Sequence, residues 1–310
     1  MSVIGILIIN IIPLYCLIGL GYIAGRRLDV NIHSIAQTLI FIIAPIVTFG
    51  AMTRLKFESG YVALPLLVVS ISFGTTMLFY YLARKRWGDS TANLIALGSV
   101  GGNTGYFGLP LVLALYGQNV VGVYLFMNVA TSIMEVTIGY YLGARGVHSV
   151  KESLRRVARL PTVHALWIGL LVNFSHVKLP DLFYTYWTHA TGAYVFFGMM
   201  IIGIALSKMK RLEFDWRLIG WLFGAKFVVW PALALLFIVI DQSALHLFPA
   251  TVHGLILIFC SVPLMANLVA YAAQLNLHAE KAASSVLLST LFAIVYMPLL
   301  FMAARQFGLL

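Results

Sequence analysis

The chain has 310 residues, of which 61% are hydrophobic and 10% charged, and its mean hydropathy is +0.96. This composition leaves too little polar surface to cover a water-soluble globule, so it predicts an integral membrane protein. The formal net charge is +10, but the basic residues lie in short segments between apolar runs. We therefore expect them at the anionic surface of a lipid bilayer and not on a nucleic acid.

The apolar runs recur at about the ~20 residues that a helix needs to cross ~30 Å of hydrocarbon. They do not alternate apolar and polar residues, as the strands of a membrane barrel do. The sequence therefore predicts an all-α polytopic membrane protein with ten transmembrane helices. The predicted spans are 3–24, 32–53, 61–83, 91–114, 119–143, 161–175, 190–207, 216–238, 249–274 and 282–304.

The distribution of basic residues predicts the orientation of these spans. Most of the 20 Lys and Arg residues lie in the odd-numbered loops or at their edges, which places those loops in the cytoplasm and both termini outside the cytoplasmic (inner) membrane. The longest polar stretch divides the chain into residues 1–145, a basic cytoplasmic linker at 146–160, and residues 161–310. Each half then has five spans and enters from the opposite side, so we expect two inverted repeats.

The fourth span contains an unusual cluster, "GGNTGYFGLP", at residues 101–110. Asn103 lies roughly 18 Å along a helix from Thr91, close to half the depth of the hydrocarbon. Glycines lower the cost of unwinding a helix, and Pro110 cannot donate a hydrogen bond to the preceding turn. In lipid, such a break is tolerated only where protein or a water-filled cavity satisfies the freed backbone groups. The cluster therefore predicts a helix interrupted beside a cavity.

The ninth span has a similar mark at the corresponding position in the second half. Pro263 and Asn267 lie near half depth in "CSVPLMANLVAYAAQ". Paired interruptions point to the substrate site of a transporter, because two half-helix N-termini then direct partial positive charge at one place. We hypothesise a polar, anionic ligand there. The alternative is that glycine and proline serve only close helix packing.

Only two formally charged residues, Glu135 and Lys226, fall well inside predicted spans. A charge at such a depth is costly, so each should face the interior of the helix bundle. Both are placed ~15 Å from the cytoplasmic face. They could form a fixed salt bridge, or Lys226 could extend to the interface. Alternatively, Lys226 supplies positive charge to the substrate, and Glu135 takes up and releases a coupling proton.

Several segments resemble the auxin efflux carrier family in its bacterial branch, within the bile/arsenite/auxin-type transporter superfamily. They are "APIVTF" (44–49), "GNTGYFGLPLVLALYG" (102–117), "KFVVWPAL" (226–233), and the stretch from "VPLMANLVAYAAQ" to "IVYMP". The resemblance implies two inverted five-helix repeats, discontinuous crossing helices 4 and 9, a homodimer and elevator-type movement. It also implies small organic anions, such as malate, malonate or indole-3-acetate, as substrates.

On matching positions, the resemblance implies that Asn103 and the segment 263–267 are the polar crossing residues. Plant members have a second proline where Leu268 stands here. The leading hypothesis is a secondary carrier, with Glu135 as the coupling group and proton or sodium as the coupling ion. The expected substrate-binding residues are Asn103, Thr104, Gly105, Pro110, Pro263, Asn267 and Lys226.

Two other classes of function remain open from the sequence. A membrane enzyme is disfavoured because no second acid accompanies Glu135 at half depth and no HExxH motif occurs. A passive channel or a membrane-embedded ligand sensor is excluded less well. No phosphate-binding GxxxxGK motif occurs, and the two cysteines have no metal-ligand spacing. We therefore expect no cofactor and no metal.

Overall fold

A computed structural model describes residues 3–28, 30–56, 59–144, 159, 161–208 and 213–309. This part of the chain is helical and contains no β-strand, as the apolar pattern predicts. The predicted linker at 146–160 lies outside the described residues, except for Arg159.

The helices follow the predicted spans, and helices 4 and 9 each consist of two segments. The first half contains α1 (Val3–Arg27), α2 (32–54), α3 (Ala63–Arg84), α4a (Thr91–Ser99), α4b (104–116) and α5 (Gln118–Gly143). The second half contains α6 (Pro161–Phe174), α7 (Asp181–Ser207), α8 (Trp216–Leu245), α9a (Ala250–Ser261), α9b (Asn267–Gln274) and α10 (Ala279–Gln306).

Two predicted boundaries are wrong by about two turns of helix. Helix α8 continues to Leu245 and does not end at residue 238. Helix α7 begins at Asp181 and not at residue 190, and it is 27 residues long. Its first turns mix Asp, Thr and His with aromatic residues, and this mixture ends an apolar run without ending a helix. Pro180 directly precedes the first turn, where a proline fits a helix start.

Six helical segments among the described residues are long and apolar enough to cross a membrane by length and composition. They are Ser34–Arg54, Gly60–Arg84, Gln118–Gly143, Asp181–Ser207, Trp216–Leu245 and Ala279–Gln306. Their outward faces carry large apolar side chains, including Leu66, Leu182 and Val295, each more than 60% exposed. Such a surface suits hydrocarbon and not water.

Helices α1 and α7 pack closely through glycine. A Cβ added at Gly21 would collide with the carbonyl of Met200, and one added at Gly203 would collide with the carbonyl of Ile18. Small residues at such positions let helix backbones approach one another in a membrane. Helix α7 is therefore anchored to α1 over part of its length.

A separate apolar cluster joins the helix ends around α4a and α9b. Its buried members include Leu94, Leu218, Leu264, Leu268 and Val286. This cluster holds the two short half-helices against the starts of α8 and α10.

A polar contact lies beside this apolar cluster, at the same end of the helix bundle. Asp215 accepts a hydrogen bond from the backbone N–H of Leu218 at 3.1 Å and pairs with Lys281 at 2.9 Å. Burial alone would raise the pKa of Asp215, but these hydrogen bonds outweigh it and lower that pKa. The carboxylate therefore caps α8 and ties it to α10.

A buried polar pair lies at the far end of α8. Asp241 is fully buried, and His253 Nε2 lies 2.8 Å from its Oδ2. The same carboxylate accepts backbone hydrogen bonds from Leu247 and Phe248. It therefore fixes the connection between α8 and α9a.

Candidate functional site

The two interrupted helices meet directly. Helix 4 is interrupted at residues 100–103 and helix 9 at residues 262–266. The backbone N–H of Asn103 donates a hydrogen bond to the carbonyl of Pro263 at 2.8 Å. The predicted interruptions are thus confirmed, and they form one crossing.

Side chains from neighbouring helices satisfy several of the backbone groups that the interruptions free. Trp230 Nε1 donates to the carbonyl of Ser99 at 3.1 Å, and Ser72 Oγ donates to the carbonyl of Val100 at 2.5 Å. In the other interruption, Ser289 Oγ accepts from the N–H of Leu264 at 3.1 Å. These contacts explain how two unwound segments persist inside a hydrophobic bundle.

Asn103 organises the start of the second half-helix. Its Oδ1 accepts from the N–H of Tyr106 at 3.2 Å, as the side chain of a helix N-cap does. The amide nitrogen of the same side chain is buried and has no hydrogen-bond partner among the described residues. Leaving such a donor unpaired is costly, so a ligand or water is its expected partner.

Thr104 is held by helix α5. Its hydroxyl donates to Asn128 Oδ1 at 2.6 Å, and its carbonyl accepts from the hydroxyl of Tyr124 at 3.0 Å. The crossing is therefore fixed to α5 through both the side chain and the backbone.

A cavity of about 120 Å³ lies beside the crossing, enough for several water molecules or a small solute. One wall consists of the crossing with its half-helices α4b and α9b, and of α5. Its polar members are Asn103, Thr104, Tyr106, Asn128, Ser132, Glu135, Asn267 and Tyr271. The rest of the lining comes from α2, α6 and α7, and its polar members are Thr48, Thr162 and Tyr194. Neither Lys nor Arg lines this cavity in the described part of the chain.

The structure brings five of the eight predicted site residues to the cavity: Asn103, Thr104, Gly105, Glu135 and Asn267. Three do not line it. Pro110 is buried in the first turn of the α-helical part of α4b, Pro263 offers its carbonyl to the crossing, and Lys226 lies behind the cavity wall.

Glu135 and Lys226 lie on opposite sides of a glycine pair. A Cβ at Gly101 would lie 2.8 Å from Glu135 Oε1, and a Cβ at Gly102 would lie 2.6 Å from Lys226 Nζ. They form no ion pair within 4.0 Å, since the salt bridges of the described residues join other partners. The sequence predicts the same membrane depth for Glu135 and Lys226, but in the structure the two side chains do not form a salt bridge.

Lys226 is fully buried and stacks on an aromatic ring. Its Nζ lies 4.1 Å from the centre of the Trp230 ring, a cation–π contact. The nitrogen has no hydrogen-bond partner within the residues described. Its charge therefore lies just behind Gly102, on the far side of the backbone from the cavity.

The electrostatics of the crossing favour an anion in one respect and oppose it in another. Helix α9b begins at Asn267 and α4b begins next to Asn103, so two helix N-termini, which carry partial positive charge, face the cavity. The carboxylate of Glu135 lines the same cavity and would repel an anion when ionised.

Sequence reasoning did not single out several polar residues of the cavity, among them Asn128, Ser132 and Tyr194. Asn128 and Ser132 share a face of α5 with Glu135, because their spacing follows the helical repeat. That polar stripe is visible in the sequence. Tyr194 gives no such signal, because its position depends on how α7 packs against the crossing.

Comparisons with known proteins match this chain to membrane transporters. The sequence profile of the membrane transport protein family matches residues 6–301. The chain is 24% identical to an uncharacterized transporter of Methanocaldococcus jannaschii over 247 residues, which cover 77% of this chain and 78% of that protein. It is 23% identical over 308 residues to a Rhizobium meliloti protein named as a candidate malonate transporter, with 92% and 91% of the two chains covered.

Proposed function

Because this multi-pass membrane protein belongs to the membrane transport protein family, the family of the auxin efflux carriers, we propose that it is a secondary active carrier for small organic anions. The proposed substrates are mono- and dicarboxylates or auxin-like acids. The observation that carries this proposal is the single crossing of two interrupted helices, closed by the hydrogen bond from Asn103 to Pro263, beside a polar cavity.

The chemistry of the cavity supports an anionic ligand. The unpaired amide of Asn103 and the two helix N-termini are hydrogen-bond donors that a carboxylate can accept. The buried ammonium group of Lys226 lies behind the backbone of Gly102. It therefore attracts an anion in the cavity electrostatically, without touching it. The similarity to a candidate malonate transporter supports carboxylates as the substrate class.

Glu135 is the proposed coupling group. An ionised Glu135 would repel a bound anion, so protonation of Glu135 and binding of the anion favour one another. Proton and substrate would then move in the same direction. Sodium is the alternative coupling ion, since carbonyl groups of unwound helix segments can hold a cation.

The proposed architecture is two inverted repeats of five helices, in which α4 and α9 correspond. The crossing would move as one body against α2, α6 and α7, in the manner of an elevator. The proposed carrier is a homodimer in the cytoplasmic membrane with both termini outside. The basic odd-numbered loops support this orientation.

Counterflow of substrate tests carrier activity. Proteoliposomes preloaded with unlabelled malonate should take up labelled malonate faster than empty ones, because a carrier returns more quickly when loaded. A channel gives no such acceleration, and a sensor gives no uptake. Uptake that is independent of preloading would contradict the proposal.

A further inference from the structure

Resting on the proposed function, we propose that the hydroxyl of Tyr194 is a substrate-binding donor, which acts together with the amide of Asn103 in the same cavity to hold one carboxylate group. Tyr194 lies on α7 and lines the cavity, and its hydroxyl lies next to Gly105 of the crossing. A bound carboxylate would therefore bridge α7 and the crossing.

The position of the Tyr194 hydroxyl is set by close packing. A Cβ added at Gly105 would lie 2.6 Å from that oxygen, so the hydroxyl points at the backbone of the crossing. The ring of Tyr194 packs on Tyr106, with ring centres 5.4 Å apart. Tyr106 in turn packs on Gly198, one turn further along α7, where a Cβ would lie 2.5 Å from the Tyr106 ring.

The hydroxyl of this largely buried residue has no hydrogen-bond partner within the described part of the chain. Tyr194 is only 7% exposed, and no described residue forms a hydrogen bond with its hydroxyl. The hydroxyl of Tyr124, by contrast, donates to the carbonyl of Thr104. A phenylalanine would pack equally well at this position. The hydroxyl without a hydrogen-bond partner therefore indicates that Tyr194 binds a ligand.

The two unpaired donors suit the geometry of a carboxylate. Asn103 and Tyr194 come from two different helices and line one cavity. A carboxylate has two oxygens and can accept a hydrogen bond on each. Hydrogen bonds to a charged acceptor are the stronger kind.

Replacing Tyr194 with Phe tests the inference, because it removes the hydroxyl and keeps the ring. The purified full-length protein is titrated with malonate and with propionate, and its thermal stability reports binding. We expect Tyr194→Phe to bind both acids roughly 10-fold to 100-fold more weakly than the wild type, with an unchanged melting temperature before ligand is added.

Tyr296→Phe is the matched control. The Tyr296 hydroxyl donates to the carbonyl of Phe227 at 2.6 Å and does not line the cavity, so this variant should keep wild-type affinity. Gly105→Ala is a second test, because its added methyl group would displace the Tyr194 hydroxyl. Gly105→Ala should weaken carboxylate binding in the wild type. The same substitution should have a smaller effect in the Tyr194→Phe variant.

The outcomes separate this inference from the proposed function. Wild-type affinity in Tyr194→Phe, or an equal loss in Tyr296→Phe, would overturn the role of the hydroxyl and leave the carrier proposal intact. If no carboxylate stabilises the wild-type protein, both proposals are overturned.

Discussion

Asn103 combines three roles in one residue at the crossing. Its N–H joins the two interrupted helices, its Oδ1 caps the next half-helix, and its buried amide nitrogen has no hydrogen-bond partner among the described residues. Aspartate could cap the helix equally well but would place a negative charge in the cavity. The side chain of asparagine therefore suits both the fold and an anionic ligand.

Glu135 is the residue whose replacement tests the coupling. If its protonation accompanies anion binding, uptake by the wild type should rise as the pH falls from 8 to 6. Glu135→Gln mimics the protonated acid, so its uptake should be independent of pH over this range. Propionate is the substrate to use, because a simple carboxylic acid, with a pKa of about 4 to 5, stays largely ionised there. Uptake by Glu135→Gln that keeps the wild-type pH dependence would exclude this role.

At the scale of the helices, the glycine pair at the crossing separates two buried charges. Gly102→Ala would bring a methyl group within 2.5 Å of Lys226 Cε, so either the lysine or the crossing must shift. We expect Gly102→Ala to lose most of its malonate uptake. Labelled malonate uptake by proteoliposomes, at equal protein content, measures this effect.

Gly74→Ala in helix α3 is the control for that variant. A Cβ there meets nothing within 4 Å, and alanine is a better helix former than glycine. This variant should transport as the wild type does. Equal uptake by Gly102→Ala and Gly74→Ala would show that the close approach of Lys226 to the crossing is unimportant.

Sequence reasoning located the interrupted helices because their cause is local. Glycine, proline and asparagine near half depth change the backbone chemistry of the span that contains them. Depth along a span, however, does not tell which face a side chain occupies. Lys226 was placed at the depth of Glu135, but the backbone at Gly101 and Gly102 lies between them.

Tertiary packing accounts for what the sequence could not provide. Tyr194 reaches the crossing only because Tyr106 fits against Gly198, a contact between residues far apart in the chain. The start of α7 was missed for a different reason, since its first two turns are too polar to extend an apolar run. Neither feature follows from hydropathy.

At the scale of the whole molecule, the cavity lies between two bodies with different chemistry. The crossing and α5 provide most of its polar groups, whereas α2, α6 and α7 provide a mostly apolar wall with Tyr194. An apolar wall lets a polar site slide past without losing many hydrogen bonds. This division supports the movement of the crossing as a unit in the proposed carrier.

Binding of malonate to two asparagine variants tests the shared pocket most directly. Asn103→Ala and Asn267→Ala alter different interrupted helices, whereas Asn173→Ala alters a structural contact, because Asn173 donates to the carbonyls of Met52 and Leu55. The measurement is the thermal stabilisation of each purified variant by malonate. We predict that Asn103→Ala and Asn267→Ala each lose about tenfold or more in affinity, while Asn173→Ala keeps the wild-type affinity. Wild-type affinity in both crossing variants would contradict the account.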